Sequence, residues 1–263
     1  MDGPGDGALS AVPMIPHCAV SGSGGNLVLI HGLGGHLGHW DPIVPALENR
    51  FRVIRYDLRG HGDSGNPEGP WYLDDFIDDL AALADHFCIE QTALAGFSLG
   101  GLIAQGFTLK YPAMVERLVL LGTVANRTNR ERGRVEERVA NLENGRLEAH
   151  IRLAVERWFS PEFRQQHPER VQHRLDGLRG MDPGGYLNAY RVFAQADLGN
   201  QLHAITCPTL IVTGSKDPGS TVRMAEFMHA EIKDSRLQIL PELRHSLLWE
   251  APARVAAELT GFL

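Results

Sequence analysis

Gly96-Phe97-Ser98-Leu99-Gly100-Gly101 follows the apolar run Thr92–Ala95 directly and opens a helix-like pattern over Ser98–Lys110. A serine on so sharp a strand-to-helix turn adopts a strained backbone and needs small neighbours, because the strand and the helix pass close together. Such a turn presents the Ser98 hydroxyl at the carboxyl edge of a sheet. It also sets the Leu99 N–H at the positive end of the following helix, where it can donate to an oxyanion. The chemistry indicated is nucleophilic attack on a carbonyl. Glycine-rich turns of this kind also cradle phosphate, but a central serine between strand and helix favours the nucleophile.

A hydroxyl is a weak nucleophile at neutral pH, so it needs a base within reach and a group that orients the base. Thr209–Thr213 reads as a strand running into Gly214-Ser215-Lys216-Asp217-Pro218, which puts Asp217 on a loop at the same edge. Arg236–Leu240 reads as another strand, and the loop after it carries Leu243-Arg244-His245-Ser246. His245 is therefore the expected base and Asp217 its acidic partner, since Leu121-Gly122-Thr123-Val124-Ala125-Asn126 offers no competing acid. The loop His31-Gly32-Leu33-Gly34-Gly35 follows the run Leu27–Ile30, and the Leu33 N–H is the expected second oxyanion donor. His31, His36 and His39 make a poor zinc set without an acidic ligand; a structural role is expected for His31 and surface positions for the other two. Arg59-Gly60-His61-Gly62-Asp63-Ser64 reads as a tight loop whose charged groups bond locally, so Asp57 and His61 are assigned structural roles.

These residues require a scaffold, and the apolar runs supply it. Leu27–Ile30, Phe51–Arg55, Thr92–Ala95, Arg117–Leu121, Thr209–Thr213 and Arg236–Leu240 read as strands, and amphipathic segments such as Asp75–Phe87 and Thr221–Ala230 lie between them. Strand then helix, repeated, predicts an α/β fold with a mainly parallel sheet covered on both faces. The alternation breaks between about Ala125 and Gly199, where Ser160-Pro161, His167-Pro168 and Asp182-Pro183 punctuate several short helices. The expected division is a core of residues 1–124 and 200–263 with an inserted helical cap of 125–199. Arg127 to Arg138 carries five arginines and three glutamates, a pattern expected of a solvated helix face with i,i+4 pairs.

With 263 residues and a net charge of −7, the chain is long enough for a sizeable core and poorly suited to nucleic acid. Mean hydropathy of −0.16 and strand-sized apolar runs speak against a membrane span. The Gly-, Pro- and Ser-rich first 26 residues lack a basic start and an apolar stretch, and the three cysteines form no Cys-x-x-Cys pair. A reduced, cytoplasmic protein acting on a small molecule, without cofactor or metal, is the expectation. Spacing leaves the oligomeric state open, a homodimer included.

The set His31-Gly, Arg59-Gly-His-Gly-Asp-Ser, Gly96-x-Ser98-x-Gly100, Asp217 and His245 resembles the α/β-hydrolase superfamily over nearly the whole chain. That resemblance implies the order serine, acid, histidine for the reacting groups. Arg157-Trp158-Phe159-Ser160-Pro161-Glu162-Phe163, Gly185-Tyr186 and Ala196-Asp197-Leu198 look like the 3-oxoadipate enol-lactonases, which open a lactone ring in aromatic compound catabolism. The resemblance thus implies ester or lactone hydrolysis through an acyl-serine. Ala194 and Gln195 stand where these lactonases lead one to expect an arginine, which leaves Arg157 or Arg191 to supply a cation. Carbon–carbon bond hydrolysis of a dienoic ring-cleavage product, and ligand reception without rapid turnover, are the alternatives that the same scaffold allows.

Overall fold

The computed structural model describes residues 12–263. The first eleven residues of the leader read from the sequence lie outside them. Seven strands form one sheet: β1 (Cys18–Ser21), β2 (Gly25–Ile30), β3 (Phe51–Tyr56), β4 (Thr92–Phe97), β5 (Val115–Leu121), β6 (Thr209–Gly214) and β7 (Ser235–Leu240). Their order is β1-β3-β2-β4-β5-β6-β7, parallel except for β1, which runs antiparallel to β3. The six strands read from the sequence are all present. The edge strand β1 is not among them, because four residues at half-buried or exposed positions carry little periodic signal.

Side chains alternate across the sheet with period two. Val28 and Ile30 of β2 enter one core with α2 (Leu73–His86), α3 (Leu99–Lys110) and α9 (Val222–Glu231), while Leu27 and Leu29 enter the other with α1 (Val44–Leu47) and α11 (Pro252–Phe262). Helix α3 is buried at every residue from Leu99 to Thr108, as befits the central helix behind the sheet. The chain passes from β2 outward to β3 and then returns to β4 on the other side of β2. The carboxyl ends of β2 and β4 therefore flank a topological switch point, where open α/β sheets form their crevice.

Between β5 and β6 the chain forms five helices: α4 (Asn129–Glu143), α5 (Leu147–Trp158), α6 (Pro161–Gln166), α7 (Pro168–Arg179) and α8 (Pro183–Gln195). The Pro punctuation marks the starts of α6, α7 and α8. Ser160 and Asp182 cap α6 and α8 by accepting from the Phe163 and Gly185 N–H groups, and Thr128 caps α4 in a reciprocal box with Glu131. These helices have a core of their own, built on Ile151, Phe159, Phe163, Leu175, Leu178, Tyr186 and Tyr190. The remaining helix, α10 (Leu247–Glu250), follows the loop after β7.

The loop after β3 is structural, as read. Arg59, fully buried, donates from Nε and Nη2 to the Asp79 carboxylate at 2.8 and 2.7 Å and from Nη2 to the Asp75 carbonyl at 2.9 Å, which fastens α2 to the sheet edge. Removing Asp79 takes away both short charge-assisted bonds of the buried Arg59 and leaves it the Asp75 carboxylate at 3.8 Å. Asp79→Ala is accordingly expected to cost about 3–5 kcal/mol of stability in urea unfolding.

Cys18 and Cys207 are half-buried and Cys88 is exposed, all three as free thiols. Among the described residues, no helix is long and apolar enough to cross a membrane.

Candidate active site

Ser98 stands between β4 and α3 with φ +55° and ψ −113°, a conformation that L-residues seldom adopt. The turn is close: a Cβ on Gly96 would lie 2.2 Å from the Gly100 carbonyl oxygen, and one on Gly100 would lie 2.3 Å from that of Ile30. Backbone bonds hold the strain in place. The Ser98 N–H donates to the Leu121 carbonyl at 2.9 Å, and the Thr123 hydroxyl donates to the Ser98 carbonyl at 2.8 Å.

Asp217 follows β6 and His245 follows β7, and both reach the edge where Ser98 sits. His245 Nδ1 lies 2.7 Å from Asp217 Oδ2, and His245 Nε2 lies 3.1 Å from Ser98 Oγ. Because a carboxylate only accepts, the proton belongs on Nδ1, and Nε2 faces the serine hydroxyl with its lone pair. Asp217's side chain is fully buried, and its second oxygen accepts from the Gly219 and Ser220 N–H groups at 2.8 and 2.9 Å. The segment that carries His245 is in turn tied to the helices above it: the Ser246 N–H donates to the Trp158 carbonyl, the Ser160 N–H to the Glu250 carboxylate, and Arg170 to the Trp249 carbonyl.

Leu33 lines the same cavity as Ser98 and His245. It is the second residue of a turn closed by Gly35 N–H donating to the Gly32 carbonyl at 2.9 Å, so the turn does not use its own N–H. Leu99 packs its side chain into the core and begins α3, where an N–H has no carbonyl one turn back to accept it. His31 is structural as expected. It accepts from the Leu58 N–H at Nε2 and donates from Nδ1 to the Gly32 carbonyl, and burial pulls it down to about 3.

Two expectations for exposed residues are overturned. His39 is buried rather than superficial: its ring meets Trp249 edge to face at 5.4 Å, and burial holds it well below the usual histidine range. The segment Arg127 to Arg138 is not wholly a solvated face. Arg127 is buried and Arg138 half-buried, both lining the cavity, while Glu131 pairs with Arg223 and Arg132 with Asp197 instead of making i,i+4 pairs. The helix folds back over the site, so its inner face cannot be solvated.

The cavity thereby gains four cations, Arg127, Arg138, Arg157 and Arg174. Arg127 and Arg174 are each pushed down to about 10 by burial, which leaves them charged at neutral pH. Arg127 stacks on Phe193 and donates to the Ala196 carbonyl; Arg174 stacks on Trp158. Among the described residues, none of the four forms an ion pair, and the one carboxylate lining the cavity is Asp217. Their field reaches His150, which burial first and then Arg157 and Arg138 lower to about 4. Arg191, the other arginine considered from the sequence, points away and pairs with Glu143 at 2.8 Å. Outside this cavity, His17, Asp57 and Asp63 bring potential metal-ligand atoms within 4.8 Å of one another. Asp57 is already occupied there by the Leu37 and Asp63 N–H groups and by His17.

The chain belongs to the alpha/beta hydrolase fold family, whose signature it matches over residues 25–252. It is 33% identical over 250 residues to (E)-2-((N-methylformamido)methylene)succinate hydrolase of Acinetobacter baylyi, covering 94% of this chain and 93% of that one. It is also 31% identical to 3-oxoadipate enol-lactonase 2 of the same organism, over 81% of this chain and 79% of that one. The crystal structure of the enol-lactonase from Burkholderia xenovorans superimposes with a TM-score of 0.88 at 26% identity, covering 94% of this chain and 95% of that one.

Proposed function

We propose that the protein hydrolyses small carboxylic esters or lactones through an acyl-enzyme on Ser98. The observation that carries this reading is the line from Asp217 Oδ2 through His245 to Ser98 Oγ, with links of 2.7 and 3.1 Å. His245 takes the hydroxyl proton as Ser98 attacks the carbonyl, and Asp217 holds the imidazole in the tautomer that can do so. The Leu33 and Leu99 N–H groups receive the developing oxyanion. His245 then protonates the leaving oxygen, and water, activated by the same imidazole, releases the acid. In this reading residues 125–199 are a cap over a core of 1–124 and 200–263, no cofactor takes part, and the three free thiols suit a reducing cytoplasm.

The four unpaired arginines favour a substrate that carries a carboxylate. The relatives support this, since one is named for a succinate and another for an enol-lactone of oxoadipate. A role in aromatic compound catabolism is part of this reading, and the likeness to enol-lactonases supports it.

A fluorophosphonate probe with peptide mapping tests the nucleophile, with a single adduct expected on Ser98. A panel of a neutral p-nitrophenyl ester, a carboxylated one, an enol-lactone and a dienoic ring-cleavage product tests the substrate. Preferential cleavage of the dienoic carbon–carbon bond, or a single turnover per protein, would overturn the ester reading. Losing a charge-assisted bond costs roughly 1.5–3 kcal/mol, so Arg157→Met is expected to raise KM for the carboxylated ester about tenfold or more and leave that of the neutral ester unchanged.

A further inference from the structure

The Leu33 N–H can serve an oxyanion only if its peptide is held in one orientation, and three side chains converge on the two peptides that set it. The carbonyl of the Gly32–Leu33 peptide accepts from His31 Nδ1–H at 2.8 Å and from the Gly35 N–H at 2.9 Å. On the next peptide, the Gly34 N–H donates to His61 Nε2 at 3.0 Å, and the Leu33 carbonyl accepts from Arg174 Nη2 at 3.3 Å. His61 is itself fixed, because its Nδ1–H donates to the Arg59 carbonyl. With both planar peptides pinned, φ and ψ of Leu33 are determined, and its N–H has one direction.

Two of the three anchors come from the core, but Arg174 belongs to α7. It is 8% exposed, stacks on Trp158 at 4.5 Å and makes no ion pair among the described residues. The fit around the turn is close. Gly34 has φ +69°, and a Cβ there would meet Leu178 at 3.0 Å and Arg174 Nη2 at 3.4 Å, both from α7, and Tyr186 of α8 at 3.2 Å.

We infer that Arg174 is a positioning residue for the oxyanion turn, the means by which helix α7 sets the direction of the Leu33 N–H; this rests on the hydrolase reading above. Arg174 also lines the cavity, so its rival role is to bind a substrate carboxylate. The two roles differ in what they move. An anion receptor changes KM for a carboxylated substrate, whereas a positioning residue changes kcat for every substrate, charged or not.

The test uses the full chain, with rates expressed per fluorophosphonate-titrated site, on p-nitrophenyl acetate and p-nitrophenyl hemisuccinate. Deleting a whole oxyanion donor costs about 10²–10³ in kcat, and a misdirected donor costs less. Arg174→Met is expected to lower kcat about tenfold on both esters, to leave KM for the acetate within about twofold, and to weaken a trifluoromethyl ketone inhibitor by about the same factor as kcat. Arg174→Lys, which can still donate one bond to a carbonyl, is expected to recover most of the loss. Arg174→Gln, too short to reach Leu33, carries the expectation of the methionine variant should that protein not fold. An unchanged kcat with a raised KM for the hemisuccinate alone overturns the inference in favour of an anion receptor. A lowered melting temperature with unchanged kcat per site overturns it in favour of a purely structural role. If wild-type protein and Ser98→Ala hydrolyse the acetate equally, the hydrolase reading fails and takes the inference with it.

Discussion

Ser98→Ala is expected to lower kcat for p-nitrophenyl acetate by roughly 10⁶-fold, the scale of loss when a triad serine is removed. The fold is expected to survive. The backbone bonds of residue 98 to Leu121 and Thr123 do not involve the hydroxyl, and alanine accepts the positive φ no worse than serine does. Among the described residues, the hydroxyl gives up one hydrogen bond, that with His245 Nε2. Melting within a few degrees of the parent, with ester turnover near background, is the expected pair of results. Retention of most turnover would remove Ser98 from the mechanism.

Asp217→Asn is expected to cost about 10³–10⁴ in kcat while leaving substrate binding nearly intact. A carboxylate can only accept, which forces the His245 proton onto Nδ1; an amide can present its NH₂ to Nδ1 and put the proton on Nε2, where it blocks the base. The loop itself has no reason to move, because Oδ1 can go on accepting from the Gly219 and Ser220 N–H groups. Circular dichroism and kcat measured together check this. A loss of less than about tenfold would mean that Asp217 serves the turn and not the imidazole.

Much of this arrangement was legible before any coordinates, and the reason is local. Ser98 follows β4 immediately, and Asp217 and His245 lie on the loops that leave β6 and β7, so the strand pattern carries all three to one edge of the sheet. Strands β2 to β7 announce themselves as short runs between glycine- or proline-marked turns. Strand β1 does not, since its pairing with β3 is a long-range event that four residues cannot advertise. The cavity walls were illegible for a related reason. Arg174 lies on the face of α7 that carries Val171, Leu175 and Leu178, and that spacing alone does not say what a buried cation on an apolar face will meet; the packing of α7 against Trp158 and the Leu33 turn decides it. The burial of His39 is equally hidden, because a histidine in a glycine-rich loop gives no sign of the Trp249 ring that packs against it. Arg127 and Arg138 were assigned to solvent because charge spacing on one helix says nothing about which neighbouring element roofs it.

The bonds from Ser246 to Trp158, Ser160 to Glu250 and Arg170 to Trp249 make the histidine's loop and the overlying helices a single mechanical body along that side. On the hydrolase reading, selectivity and speed are therefore not separate dials in this protein. A library that reshapes α5 to α7 for a new guest also disturbs the seat of the imidazole, and variants chosen by binding alone will tend to be slow.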